Sequence, residues 1–229
     1  MIHPRYWLKH ASVRRAIRNY PLYDVLHKQA ERTLGEERVQ DNFAYFMGVR
    51  LERLAFFRSW LRTNFLIDVD LDGDGLRKVS RWVDACGGAL IPHEPNRQAI
   101  FEGYHPSWES EYAGYNVIVD IGIFLGEYLI AKRPQLFWEI YRGHELEPDC
   151  FDSTDYLKPC LGGMPRLWKS FPLMTGYGAV RNSRYLALIR NYSASGDILL
   201  GMAKSTLYRS RLPDGTGAIV LGDSSNEPL

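Results

Sequence analysis

Residues 115–133, reading YNVIVDIGIFLGEYLIAKR, constrain the fold more than any other part of the chain. This is the longest apolar run, and before Lys132 its only charges are Asp120 and Glu127. On an α-helix, Asn116, Asp120 and Glu127 fall within roughly 40° of one another, and nearly every other position is aliphatic or aromatic. A helix that is apolar on all sides but one narrow polar seam belongs in the middle of a protein. The competing reading is a bilayer span, which takes about 20 apolar residues. Two carboxylates near mid-membrane would each cost a few kcal/mol, and no second span shelters them. The run therefore predicts a buried helix and no membrane partner.

Other elements are expected to dock on this helix. Residues 11–19 carry Val13, Ala16 and Ile17 on one side and arginines on the other, a short helix stopped by Pro21. A second helix is expected over residues 23–34, ending at Gly35. The third, residues 40–64, has the clearest amphipathic period: Phe43, Phe46, Met47, Leu51, Leu54, Phe57 and Leu61 recur at three- and four-residue steps. A fourth, residues 76–86, ends at Gly87-Gly88. Strands are expected at residues 99–104, 136–142, 156–161 and 218–221. Asn182 or Ser183 is expected to cap a helix running to Tyr192, with a last helix over residues 197–208. The sum is an α+β protein whose helical N-terminal half packs on a central buried helix and on a small, mostly antiparallel sheet from the C-terminal half. Residues 1–221 read as one globular domain and residues 222–229 as a disordered tail.

The 28 Lys and Arg against 27 Asp and Glu leave a net charge near +1, so no global field draws in nucleic acid or an anionic membrane. Three cysteines, Cys86, Cys150 and Cys160, fit neither a disulfide framework nor a zinc spacing, which points to a reduced, cytoplasmic setting. The basic N-terminus, with Arg5, Lys9, Arg14, Arg15 and Arg18, lacks the apolar core of a secretory signal. The alternating aspartates Asp68, Asp70, Asp72 and Asp74 resemble a calcium loop, but neither register places Glu at its twelfth position. The expectation is instead that Asp72 or Asp74 caps the fourth helix.

Several signatures of catalysis are absent: G-x-S-x-G, the Walker A loop, G-x-G-x-x-G and H-E-x-x-H. His93-Glu94 and His144-Glu145 supply only the first half of the last. Two constellations remain. Asp120 and Glu127 lie about two turns apart, roughly 10 Å along the axis, and His93, Glu94 or His105 from the preceding loop could close a metal site between them. The alternative is that buried ion pairs and hydrogen bonds consume both carboxylates. Asn116, Asp120, Glu127, His93, Glu94 and His105 are thus the candidate functional seam, with Gly122 and Gly126, about 40° apart on another side, as points of close packing by the sheet or the third helix. The second constellation is basic and aromatic, the N-terminal arginines with Arg166, Trp168 and Lys169, a pattern that can hold single-stranded nucleic acid.

The pattern N-x-x-x-D-x-G-x-x-x-G-E-x(6)-P-x-x-x-W, carried by Asn116, Asp120, Gly122, Gly126, Glu127, Pro134 and Trp138, resembles a block in uncharacterised bacterial proteins, some of them similar to small immunity-like proteins encoded beside toxins. The resemblance implies a protein partner and no established activity. The expected function is a cytoplasmic, non-catalytic protein-binding or immunity-like inhibitor, without a cofactor. The alternatives are a metal-dependent hydrolase on Asp120, Glu127 and the loop histidines, or a nucleic-acid-binding protein.

Overall fold

A computed structural model describes residues 4–143, 155–165, 168–188 and 197–211. The expected strand at 218–221, the tail at 222–229, His144-Glu145, Cys150, Arg166 and the stretch leading to Tyr192 lie outside the described residues.

In chain order the elements are α1 (Pro4–Ala16), α2 (Glu36–Phe65), α3 (Gly73–Cys86), α4 (Arg97–Gly103), α5 (Gly114–Lys132), β1 (Phe137–Ile140), β2 (Pro159–Gly162), α6 (Pro172–Leu188) and α7 (Ile198–Arg209). The class is α+β and dominated by helices, with a two-stranded antiparallel sheet. Its register sets Phe137 opposite Gly162 and Ile140 opposite Pro159. Trp138 and Ile140 point inward and Phe137 outward, as a period of two requires.

Helix α5 is the predicted central helix, with every residue from Gly114 through Gly126 buried. Among the described residues it is the one helix long and apolar enough to cross a bilayer, yet α2, α3, α6 and α7 surround it. One apolar cluster runs from Val13 on α1 to Leu207 on α7 through this helix. Leu34, Val39, Ile140 and Leu157 form a smaller cluster beneath the sheet.

Three expectations need correcting. Residues 23–34 are not helical apart from a 3-10 turn at Glu31–Thr33. Their backbone bonds go to distant side chains instead: Tyr23 N donates to Asn116 Oδ1 at 2.6 Å, and His27 N and O bind Asn42 Oδ1 and Nδ2, both at 3.0 Å. The groups that would close a helix are thereby satisfied from outside the segment. Residues 99–104 form the end of α4 rather than a strand. Phe101 and Tyr104, three apart, both turn inward, which is helical spacing. Finally, Asn182 and Ser183 cap nothing, because α6 has begun at Pro172, a residue suited to a first helical turn. Ser183 Oγ instead accepts from Gly88 N at 3.1 Å and donates to Asp84 O at 3.0 Å, joining α6 to α3. With α6 and α7 both in the C-terminal half, that half is more helical than the sequence suggested.

At the acidic turn, Asp72 is the N-cap of α3, accepting from Gly75 N at 2.7 Å. Asp68 pairs with Arg62, Asp70 with Arg58 and Asp74 with Lys78.

Candidate functional site

The seam of α5 lies in the middle of the core, where each polar group has found a protein partner. Asp120 takes Arg53 Nε on Oδ1 at 2.6 Å and Arg53 Nη2 on Oδ2 at 3.0 Å, and Tyr20 donates its hydroxyl to Oδ2 at 2.7 Å. Burial pushes this carboxyl up to about 6 against the pull of Arg53 and Tyr20, which leaves it ionised at neutral pH. Burial works against the Arg53 charge as well, but Asp120 outweighs it and holds the guanidinium protonated. Arg53 further donates to Leu22 O at 2.9 Å and Asn116 O at 3.3 Å. Asn116 donates to Trp108 O at 2.8 Å and Ala113 O at 3.0 Å. Two turns beyond Asp120 along the seam, Glu127 receives Arg50 Nε at 3.1 Å and Trp138 Nε1 at 2.9 Å.

The loop residues expected to close a metal site have other partners. His93 Nδ1 lies 3.0 Å from Arg184 Nη2, the Glu94 carbonyl accepts from Arg97 Nε at 2.6 Å, and Tyr112 donates its hydroxyl to the Glu94 side chain. His105 is exposed, its backbone N–H bonded to Ile100 O. Among the described residues, no group of three or more His, Cys, Asp and Glu gathers closely enough to hold a metal ion. The two glycines are points of close approach, Gly126 to the sheet as expected and Gly122 to α6 instead. A Cβ at Gly122 would stand 2.6 Å from the Leu173 Cα on α6, and one at Gly126 would stand 2.0 Å from Cζ2 of the Trp138 indole.

The basic and aromatic residues are divided between structure and surface. Arg14 donates to the carbonyls of Glu111 and Ile91, tying α1 to the loop before α5. Arg15 and Arg18 are exposed. The Arg209 guanidinium lies 3.9 Å over the Trp168 ring. Lys169 pairs with Glu139 on β1.

A second buried ion pair had no signature in the sequence. Lys158 Nζ meets Glu31 Oε2 at 2.6 Å beneath the Tyr104 ring, and Tyr104 donates its hydroxyl to the same carboxylate. This pair fixes the loop after α1 to the start of β2.

Among the described residues a cleft of about 1040 Å³ opens at the surface. Its floor is one face of α6, and its sides are the beginning of α4, the strand-to-helix segment at Lys169 and Phe171, and α7. The α4 side carries Arg97 and Gln98, the floor carries Tyr177 and Arg181, and the α7 side carries Ile198 and Met202. Tyr185, 59% exposed, and Met202, 38% exposed, give the mouth apolar surface. Arg184 also lines the cleft, but its guanidinium donates to Gly88 O at 3.1 Å and Ile91 O at 2.7 Å and contacts His93. The His93-Glu94 pair thus borders this cleft through Arg184 and Arg97 rather than reaching the α5 seam.

None of the residues proposed for the seam lines the cleft. The signal that could have revealed it is Met174, Tyr177, Gly178, Arg181 and Tyr185, one stripe at three- and four-residue spacing on α6. A helix started at 182 cuts that stripe away. No protein-family model matches the chain, and no curated protein or solved structure matches it significantly.

Proposed function

We propose that this chain is a cytoplasmic, non-catalytic binding protein that holds a segment of another protein in the cleft over α6, as an immunity-like inhibitor would hold its target. The observation that carries the reading is the mixed lining of that cleft, which combines arginines on α4 and α6 with exposed Tyr185 and Met202. A groove with apolar anchors and a charged side is the form in which helical or extended protein segments are bound. A metal-dependent hydrolase on Asp120 and Glu127 is the weaker reading, because Arg53, Tyr20, Arg50 and Trp138 already occupy those carboxylates. Nucleic-acid binding through α1 is weaker too, since Arg14 is spent on backbone carbonyls.

The test is capture of a partner from the native cytosol with the intact protein, followed by rebinding of the purified partner. Binding should be lost in a Tyr185→Ala, Met202→Ser variant and kept in Leu66→Ser, which alters an exposed residue after α2. Recovery of no partner, or of one that binds the cleft variant as well as the wild type, would remove the reading.

A further inference from the structure

We infer that the cleft selects its occupant by carboxylate recognition, with Arg97 and Arg181 as the acid-binding subsite, so that the bound segment is acidic on one side and apolar on the other. This rests on the reading of the cleft as a protein-binding site and names the chemistry of what enters it.

The argument begins with what the arginines are doing. Arg50, Arg53, Arg58, Arg62 and Arg142 each meet a carboxylate within the protein. Arg184, on the cleft wall, is committed to two backbone carbonyls and His93. Lys169, at the cleft edge, is neutralised by Glu139. Of the cations that line the cleft, Arg97 and Arg181 are the two whose terminal nitrogens meet neither a carboxylate nor a backbone carbonyl among the described residues. Arg97 spends its Nε on Glu94 O at 2.6 Å, and its two terminal nitrogens make no hydrogen bond among the described residues. Arg181 reaches only Gln98 Oε1, at 3.5 Å, the outer limit of a hydrogen bond.

The two arginines share one corner of the cleft. Gln98, beside Arg97 on α4, is the residue that touches Arg181 on α6, and both guanidiniums act on the Tyr177 hydroxyl between them. Burial raises that hydroxyl's pKa, while the charges of Arg181 and Arg97 oppose the rise. The corner therefore offers several N–H donors and a phenol, the charge of its two arginines partly offset by Glu102 near Tyr177 and by Asp155 on the cleft lining, and a guanidinium fork matches the two oxygens of a carboxylate.

The occupant is further defined by the apolar lining of the same cleft. Ile198 and Met202, one turn apart on α7, join Met174 on α6 to form an apolar side. Methionines adapt to varied apolar side chains. Single-stranded nucleic acid would need cations repeated along a backbone track and bases stacked on exposed aromatic faces. Two guanidiniums in a cleft also lined by methionine and isoleucine instead suit a peptide with Glu or Asp on one face and Leu or Met on the other.

The experiment uses the full chain and two labelled helical peptides, one with Glu and Leu at three- and four-residue spacing, the other with Gln for every Glu, followed by fluorescence anisotropy. The Glu peptide should bind at least about tenfold tighter, the scale of losing a charge-assisted hydrogen bond. Arg97→Gln with Arg181→Gln should abolish that preference without moving the unfolding midpoint, whereas Met202→Ser should weaken both peptides. Equal binding of the two peptides, or a preference that survives the double substitution, overturns carboxylate recognition while leaving the protein-binding reading to its own capture test. Binding of neither peptide, or tighter binding of an oligothymidylate than of the Glu peptide, overturns it as well.

Discussion

Arg53 grips both oxygens of Asp120 from the facing helix α2, at 2.6 and 3.0 Å, with side-chain exposures of 7% and 0%. The polar seam predicted on α5 is therefore a helix-to-helix clasp, and Tyr20 closes its third side.

Breaking this clasp from one side should be severe. Asp120→Ala leaves the Arg53 charge buried without its counterion and should cost about 3–5 kcal/mol. Replacing both partners, as in Arg53→Met with Asp120→Leu, should cost clearly less than the sum of the single changes, since no charge is stranded. Urea denaturation of the four proteins measures the coupling, and additive costs would show that the pair is not a unit.

Gly122 and Gly126 of α5 should both resist alanine, against helix propensity, which favours alanine by about 1 kcal/mol. A Cβ at Gly126 meets the Trp138 indole at 2.0 Å, and one at Gly122 meets the Leu173 backbone at 2.6 Å. Overpacking of this kind costs about 1–3 kcal/mol. Trp138→Phe removes the ring atoms in the way, so Gly126→Ala should be milder in that background than in the wild type. The same rescue should not appear for Gly122→Ala, because backbone cannot be trimmed.

Asp72 and its neighbours should differ sharply in thermal denaturation. Asp72→Ala removes the N-cap of α3 and should cost about 1 kcal/mol. Asp70→Ala removes only an exposed pair with Arg58 and should cost about 0.5 kcal/mol or less. A calcium-dependent rise in stability lost in both variants would reinstate the loop as a metal site.

Asp84 should make the protein less stable as pH rises. Burial, helped by the nearby negative charge of Asp197, pushes its carboxyl up to about 6. The folded state then holds this proton more tightly than the unfolded chain, so stability is lost between about pH 4 and pH 6 and the loss persists above that window. Asp84→Asn should raise the melting temperature near neutral pH and leave it almost unchanged below about pH 4. A gain of equal size at both would place its origin elsewhere than in ionisation.

Much of this fold could be read from periodicity. The apolar run of α5, the stripe of α2 apart from Leu51, which is 55% exposed, and the alternation in β1 each define their burial locally, and each element lies where its pattern predicts. Segment 23–34 departs from that pattern because Asn116 and Asn42 satisfy its backbone from outside the segment. Glu31 and Lys158 gave no warning of their pairing for the same reason, a separation of 127 residues. The cleft escaped notice because the start of α6 was misplaced, which hid Tyr177 and Arg181 from the stripe that contains Tyr185.

By itself, the sequence determined that residues 115–133 form a buried helix and that its acidic seam needs partners, because burial of a carboxylate is too costly without one. It also placed Gly122 and Gly126 at close contacts. Only the tertiary structure decided what those partners are, Arg53 and Tyr20 rather than the loop histidines, and where the chain offers an open surface. Those outcomes depend on side chains meeting across helices, which hydrogen-bond directionality and packing volume settle in three dimensions and which no local spacing encodes.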